Sequence, residues 1–161
     1  TRRLFSGLPL PNQTMKQALL DFCWSYVDER TTRLKKQGDE LWESLNSETK
    51  SSAGDKHETG RAMAQLEQEK LGQQLQELDA TRSILNKINI DKRSNKIRLG
   101  SLVKTSMAEY FIAISAGAFK HDQGIVYCIS ANAPIAKLLI GKENGENFVF
   151  NGKGQSILEV F

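Results

Sequence analysis

Two long runs with a helical period, Met15 to about Asn46 and about Lys56 to Asn89, are separated only by a short polar stretch. That pairing constrains the fold more than any other feature of the chain. The first run has no proline, and its only glycine is Gly38. Apolar or semi-apolar residues recur at Leu19, Cys23, Tyr26, Leu34, Leu41 and Leu45, at spacings of three, four or their sums, and Phe22, Val27 and Trp42 widen the stripe. The second run places Met63, Leu66, Leu71, Leu75, Leu78, Leu85 and Ile88 on a narrower stripe, interrupted by Lys70, Gln74 and Thr81. A narrow seam suits a two-stranded antiparallel coiled coil better than the wide face of a core helix. At ~1.5 Å per residue, roughly 30 residues make a rod of ~45 Å. Because the rods match in length, the pattern predicts an α-helical hairpin over residues 15–90, with its tip near 46–58.

After the charged break Asp91-Lys92-Arg93-Ser94-Asn95-Lys96 the period changes. Ile97–Thr105, Glu109–Ala116, Gly124–Ser130, Glu146–Asn151 and Gln155–Phe161 are rich in Val, Ile, Phe and Tyr and punctuated by Gly and Asn, which predicts strands of a mainly antiparallel sheet. Between the third and fourth, Ala133-Pro134 through Ile140, closed by Gly141, has the proline-first, glycine-last polarity of one short helix. The expected class is α+β: a coiled-coil hairpin followed by a small β domain over residues 97–161. Residues 1–14 hold two of the three prolines and no helical period, and are expected to be a flexible leader outside the fold.

Charge is plentiful but balanced: 22 basic residues against 19 acidic ones leave a net +3. A broad basic face for duplex nucleic acid shows a clearer excess. Cys23 and Cys128 are far apart and match neither metal-ligand nor disulfide spacing, so a reducing cytoplasm is the expected setting. No apolar run approaches the ~20 residues that span a bilayer, and no membrane partner is expected. A monomer is expected.

Within the tip, Asp55 and Glu58 stand one turn apart where the returning helix begins. A capping box explains such a pair, with Asp55 as the cap and Glu58 three residues on, worth ~1 kcal/mol. Two carboxylates on a helix end can also offer oxygens to a hard cation that has other ligands elsewhere. His57 between them is more simply an exposed tip residue than a ligand. Arg30, Arg33, Lys35 and Lys36 read either as the solvated face of a coiled coil or as contacts to a polyanion. Trp24 and Trp42 read as seam or partner-facing residues.

The residues then point to a family. Ile97-Arg98-Leu99-Gly100-Ser101-Leu102-Val103, Ile129 through Lys142 with its Ala133-Pro134-Ile135 and Leu138-Leu139-Ile140-Gly141-Lys142, and Gly145-Glu146 together resemble the C-terminal domain of the bacterial Gre transcript-cleavage factors. Gly54-Asp55-Lys56-His57-Glu58 resembles the same family's Gly-Asp-x-x-Glu tip. The likeness covers roughly Met15 to Phe161. Where the family continues Glu-Asn-Ala-Glu-Tyr, this chain has Glu58-Thr59-Gly60-Arg61-Ala62, and the family's Ser before Pro is Ala133 here.

The resemblance implies an FKBP-like C-terminal domain that docks on RNA polymerase through Ala133, Pro134 and Ile135. It further implies a hairpin that enters the polymerase's secondary channel. Asp55 and Glu58 would then share a Mg²⁺ with the polymerase near the nascent RNA 3′ end, assisting cleavage of backtracked RNA. No cofactor is implied for the free chain, nor enzymatic activity of its own. A Gre-like channel occupant that regulates or inhibits without cleavage is the alternative, because the tip lacks one acid and one aromatic of the family pattern. A prolyl isomerase would need an aromatic-lined pocket drawn from Tyr110, Phe111, Phe119, Tyr127, Phe148, Phe150 and Phe161. A plain coiled-coil adapter leaves the tip motif unexplained.

Overall fold

A computed structural model describes residues 11–48 and 54–161, with side chains over residues 13–47 and 59–161. Helices α1 (Pro11–Glu48) and α2 (Gly54–Asn86) come first, followed by strands β1 (Leu102–Thr105), β2 (Glu109–Ala113), β3 (Gly117–His121) and β4 (Gly124–Ser130). Helix α3 (Pro134–Leu139) and strands β5 (Asn147–Phe150) and β6 (Lys153–Val160) complete the chain. The class is α+β. Helix α1 begins at Pro11, four residues ahead of Met15, so the end of the expected leader is helical. Residues 1–10 of that leader, and 49–53 of the expected tip, lie outside the described residues.

The chain forms two compact units: Tyr26–Ser83, and the chain through Ser25 together with Ile84–Phe161. In the first unit, α1 and α2 run antiparallel, with Val27, Thr31 and Leu34 buried on one helix and Leu71 and Leu78 on the other. Thr31 is a polar residue in this seam, and it is satisfied from both sides. Its hydroxyl donates to the Val27 carbonyl at 2.8 Å and accepts from the Arg82 guanidinium. Arg82 also binds Asp79 at 2.8 Å and faces Asp28 at 3.9 Å. The expected seam residues Met63 and Leu66 are instead two-thirds exposed, at 66% each, and Trp42 is 59% exposed. The tight part of the seam therefore lies at the Val27–Leu34 and Leu71–Leu78 end.

The second unit is a six-stranded sheet in the order β3-β4-β2-β1-β6-β5. All neighbours are antiparallel except β2 and β4, which are parallel. Helix α3 covers one face through Ile135, Ala136 and Leu139, packed with Ile97, Val103, Ile112, Phe148, Ile157 and Val160. Residues of opposite parity, Leu102, Phe111, Ala113, Val126 and Cys128, are buried on the other face. Here the start of α1 packs: Leu19 and Cys23 are fully buried, and the Phe22 ring meets Phe119 edge-on at 5.3 Å. The apolar stripe read as one coiled-coil seam thus packs on a sheet through Ser25 and on α2 beyond it.

Three local features shape the sheet. Strand β3, Gly-Ala-Phe-Lys-His, was not expected; it pairs only with β4 and sits at an edge. A register shift between Lys104 and Thr105 sets Glu159 and Ile157 opposite them, leaving Leu158 as the extra residue. That bulge lets Ile157 and Val160 enter the same core although three positions apart. Gly100 has φ +90°, and a Cβ there would stand 3.1 Å from Ile88 Cγ2. Its N–H bonds the Ile112 carbonyl at 2.7 Å, so the loop cannot shift away from β2. Only glycine fits both demands.

Lys16 is the one buried lysine among the described residues, at 3% exposure. Its ammonium is pushed down to about 8 from 10.5, first by burial, then by Arg98 and Arg93. Between those two values the unfolded chain keeps a proton that the folded chain has released, so this group makes stability rise with pH across about 8 to 10.5. Lys16→Met is expected to stabilise the protein by about 2 kcal/mol at pH 7, with the gain shrinking toward pH 10. Urea denaturation of both proteins at the two pH values checks it. An equal difference at both would remove the charge from the account.

Candidate functional site

Asp55 and Glu58 occupy the first turns of α2, which starts at Gly54. Residues three apart on a helix are neighbours on one face, about 5–6 Å between Cβ atoms. The first-turn N–H groups and the positive end of the helix dipole favour anionic side chains there. The side chains of Asp55, His57 and Glu58 lie outside the described residues. Arg61, one turn beyond Glu58, is exposed.

The pair could supply at most four oxygens, against the ~6 positions a Mg²⁺ fills. As a cation site the pair would need further ligands from elsewhere. Among the described residues, no group of three or more His, Cys, Asp or Glu side chains could hold a metal ion.

At the other expected contact, Ala133 is the extended residue before α3, with φ −64° and ψ 147°. It makes no side-chain cap; its N–H bonds the Ser130 carbonyl at 3.0 Å. Pro134 fills the first helical turn and is exposed, so the helix is started by proline geometry without a hydroxyl cap. Ile135 is 7% exposed and belongs to the core beneath α3. Of the three residues, Ala133 and Pro134 present surface, and Ile135 holds the turn against the sheet. Gly141, at φ +90°, ends α3 and ties its N–H to the Ile97 carbonyl at 2.8 Å.

The basic residues of the first unit divide. Arg30 lies 5.5 Å from the centre of the Tyr26 ring. Arg30 and Arg33 line a cleft of about 250 Å³ with Leu34, Glu67, Lys70 and Leu71, open to solvent between the helices. The aromatics of the β domain are divided between the two faces of the sheet. Phe148 lies in the core under α3, Phe111 is buried on the opposite face, and Phe119 packs against Phe22 and the His121 ring. The ring centres of Tyr110 and Tyr127 are 6.2 Å apart, with Tyr110 packed against the core under α3 and Tyr127 exposed.

Sequence spacing gave no hint that Cys23 and Cys128 share one layer. Both are buried between α1 and the sheet. Only the parity of β4 pointed that way, since it sets Cys128 on the same face as Val126. No helix among the described residues is long and apolar enough to cross a membrane. No protein-family model matches the chain, and no curated protein matches it.

Proposed function

We propose that this chain is a Gre-type regulator of bacterial RNA polymerase, placing the tip of its helical hairpin in the secondary channel and stimulating cleavage of backtracked RNA. One observation carries the reading: Gly54-Asp55-x-x-Glu58 opens the second helix of a hairpin that precedes a β domain bearing Ala133-Pro134-Ile135 at a helix start. Each motif is short, and it is their position on these elements that supports the proposal. Asp55 and Glu58 would complete, with polymerase carboxylates, the ligands of a shared Mg²⁺. When bound, such an ion stabilises charge on the attacking and leaving oxygens of a phosphodiester. The free chain needs no cofactor in this reading, because two carboxylates alone hold Mg²⁺ weakly.

A second reading is favoured by Thr59-Gly60-Arg61-Ala62, which puts a cation where the family pattern has an acid. In it the same hairpin occupies the channel and regulates the polymerase without cleavage. The purified chain added with Mg²⁺ to a stalled, backtracked elongation complex distinguishes them. Shortening of the RNA from its 3′ end is the expected result. Binding without shortening supports the non-cleaving regulator, and no binding to polymerase removes both.

A further inference from the structure

Within the unit Tyr26–Ser83, helices α1 and α2 border a cleft of about 250 Å³. Arg30, Arg33 and Gln37 line it from α1, and Glu67, Lys70 and Gln74 line it from α2, each row at spacings of three and four. Such spacings put a row on one face of its helix. The floor is Leu34 and Leu71, both buried in the seam. Three cations therefore share the cleft with one carboxylate, over an apolar base.

The solvated flanks of a coiled coil ordinarily carry both signs of charge, paired across the seam. Arg82 of the same unit follows that rule, bound to Asp79 at 2.8 Å and facing Asp28. Arg30, Arg33 and Lys70 do not: none of them forms an ion pair with a described residue. Arg30 is half-buried and rests against Tyr26, 5.5 Å from the ring centre, which holds its guanidinium at the cleft wall. Arg33 stands one turn along the same face, and like charges on neighbouring turns cost stability. An anion held between them would offset that cost.

We propose that this cleft binds a small phosphate monoester bearing hydroxyl groups, of the sugar-phosphate class. Arg30 and Arg33 each present a planar fork of N–H donors to the phosphate oxygens, and Lys70 adds a point charge from the opposite wall. Glu67 selects the rest of the ligand. A carboxylate repels a phosphate but accepts hydrogen bonds from hydroxyls, and the Gln37 and Gln74 amides can both donate and accept. The volume sets the size: about 250 Å³ falls below the ~300–1,000 Å³ of sites for drug-sized ligands, which suits one sugar ring with its phosphate rather than a nucleotide. The cleft is separate from the tip acids, because Glu67 follows Glu58 by about two and a half turns of α2. Binding there needs no polymerase.

Calorimetric titration of the full chain at low ionic strength tests this with three probes: ribose 5-phosphate, inorganic phosphate and ribose. The expected result is one saturable site for ribose 5-phosphate, weaker uptake of inorganic phosphate and none of ribose. Arg33 and Lys70 are exposed, so Arg33→Gln with Lys70→Gln should leave the fold intact. That variant should bind ribose 5-phosphate about 10-fold more weakly or worse, having lost two charge-assisted contacts. Glu67→Gln should tighten inorganic phosphate, by removing a repelling charge, and narrow the preference for ribose 5-phosphate over it. A wild-type chain that takes up neither anion saturably would overturn the proposal. So would unchanged binding by a folded Arg33→Gln, Lys70→Gln protein, since the anion would then sit elsewhere. Equal affinity for ribose 5-phosphate and inorganic phosphate would overturn the sugar-phosphate class. If the double variant fails to fold, Arg33→Gln alone carries the comparison.

Discussion

Phe111→Ala is expected to destabilise the β domain by about 3–5 kcal/mol. Phe111 has no exposed surface and is the largest of the fully buried side chains. It stands on β2 between Leu102 of β1 and Cys128 of β4, so its ring fills the middle of the face on which α1 packs. Removing it forfeits the transfer energy of the ring and leaves a cavity that strands paired on both sides cannot close. Against a total of roughly 5–15 kcal/mol for a folded domain, such a loss moves much of the population toward unfolding. Chemical denaturation measures it, and Ile112→Val on the opposite face serves as a mild control at about 1 kcal/mol. A loss under 1 kcal/mol for Phe111→Ala would mean that the sheet is not closed by helix α1 on this side.

The sequence-level expectations hold wherever one period acts over many residues. The two helices and α3, with its proline start and glycine end, were legible because their signals are local and repeat. What an apolar stripe packs against is not a local property. Leu19 and Cys23 continue the same spacing as Val27 and Leu34, yet the first pair is buried on a sheet and the second pair on a helix. Strand β3 escaped notice because Gly117, Ala118 and Lys120 carry no apolar alternation; an edge strand paired on one side needs little. The bulge at Leu158 breaks strict alternation in β6, and no spacing rule reveals it. The burial of Cys23 and Cys128 in one layer depends on the start of α1 lying over the sheet, a tertiary fact with no counterpart in cysteine spacing.

Of the candidate site, the order of Asp55 and Glu58 on a helix start was legible. At the other contact, the expectation did not separate surface from support. Ile135 obeys the core parity of a short amphipathic helix and points inward, whereas Pro134 beside it stays exposed.

The double substitution Asp55→Asn with Glu58→Gln is expected to abolish stimulated cleavage while leaving binding to polymerase intact. Both replacements keep the shape of the side chain and its hydrogen-bonding capacity at the helix start, so the helix loses only a few tenths of a kcal/mol from the dipole. Both remove the charge that a hard cation requires. If the acids share a Mg²⁺ with polymerase, cleavage of backtracked RNA should fall on the order of 100-fold, as losses of metal-site partners do. The variant should still compete with wild type for the channel, and added Mg²⁺ should restore part of the rate by mass action. If the acids serve only the helix start, cleavage should survive and the change should appear in helical content and thermal unfolding instead. A wild-type chain that competes for the channel yet never shortens RNA would leave nothing for the double variant to lose. In that case Arg61→Glu, which returns an acid one turn beyond Glu58, becomes the substitution expected to restore activity, and its failure would count against the metal-sharing role of the tip altogether.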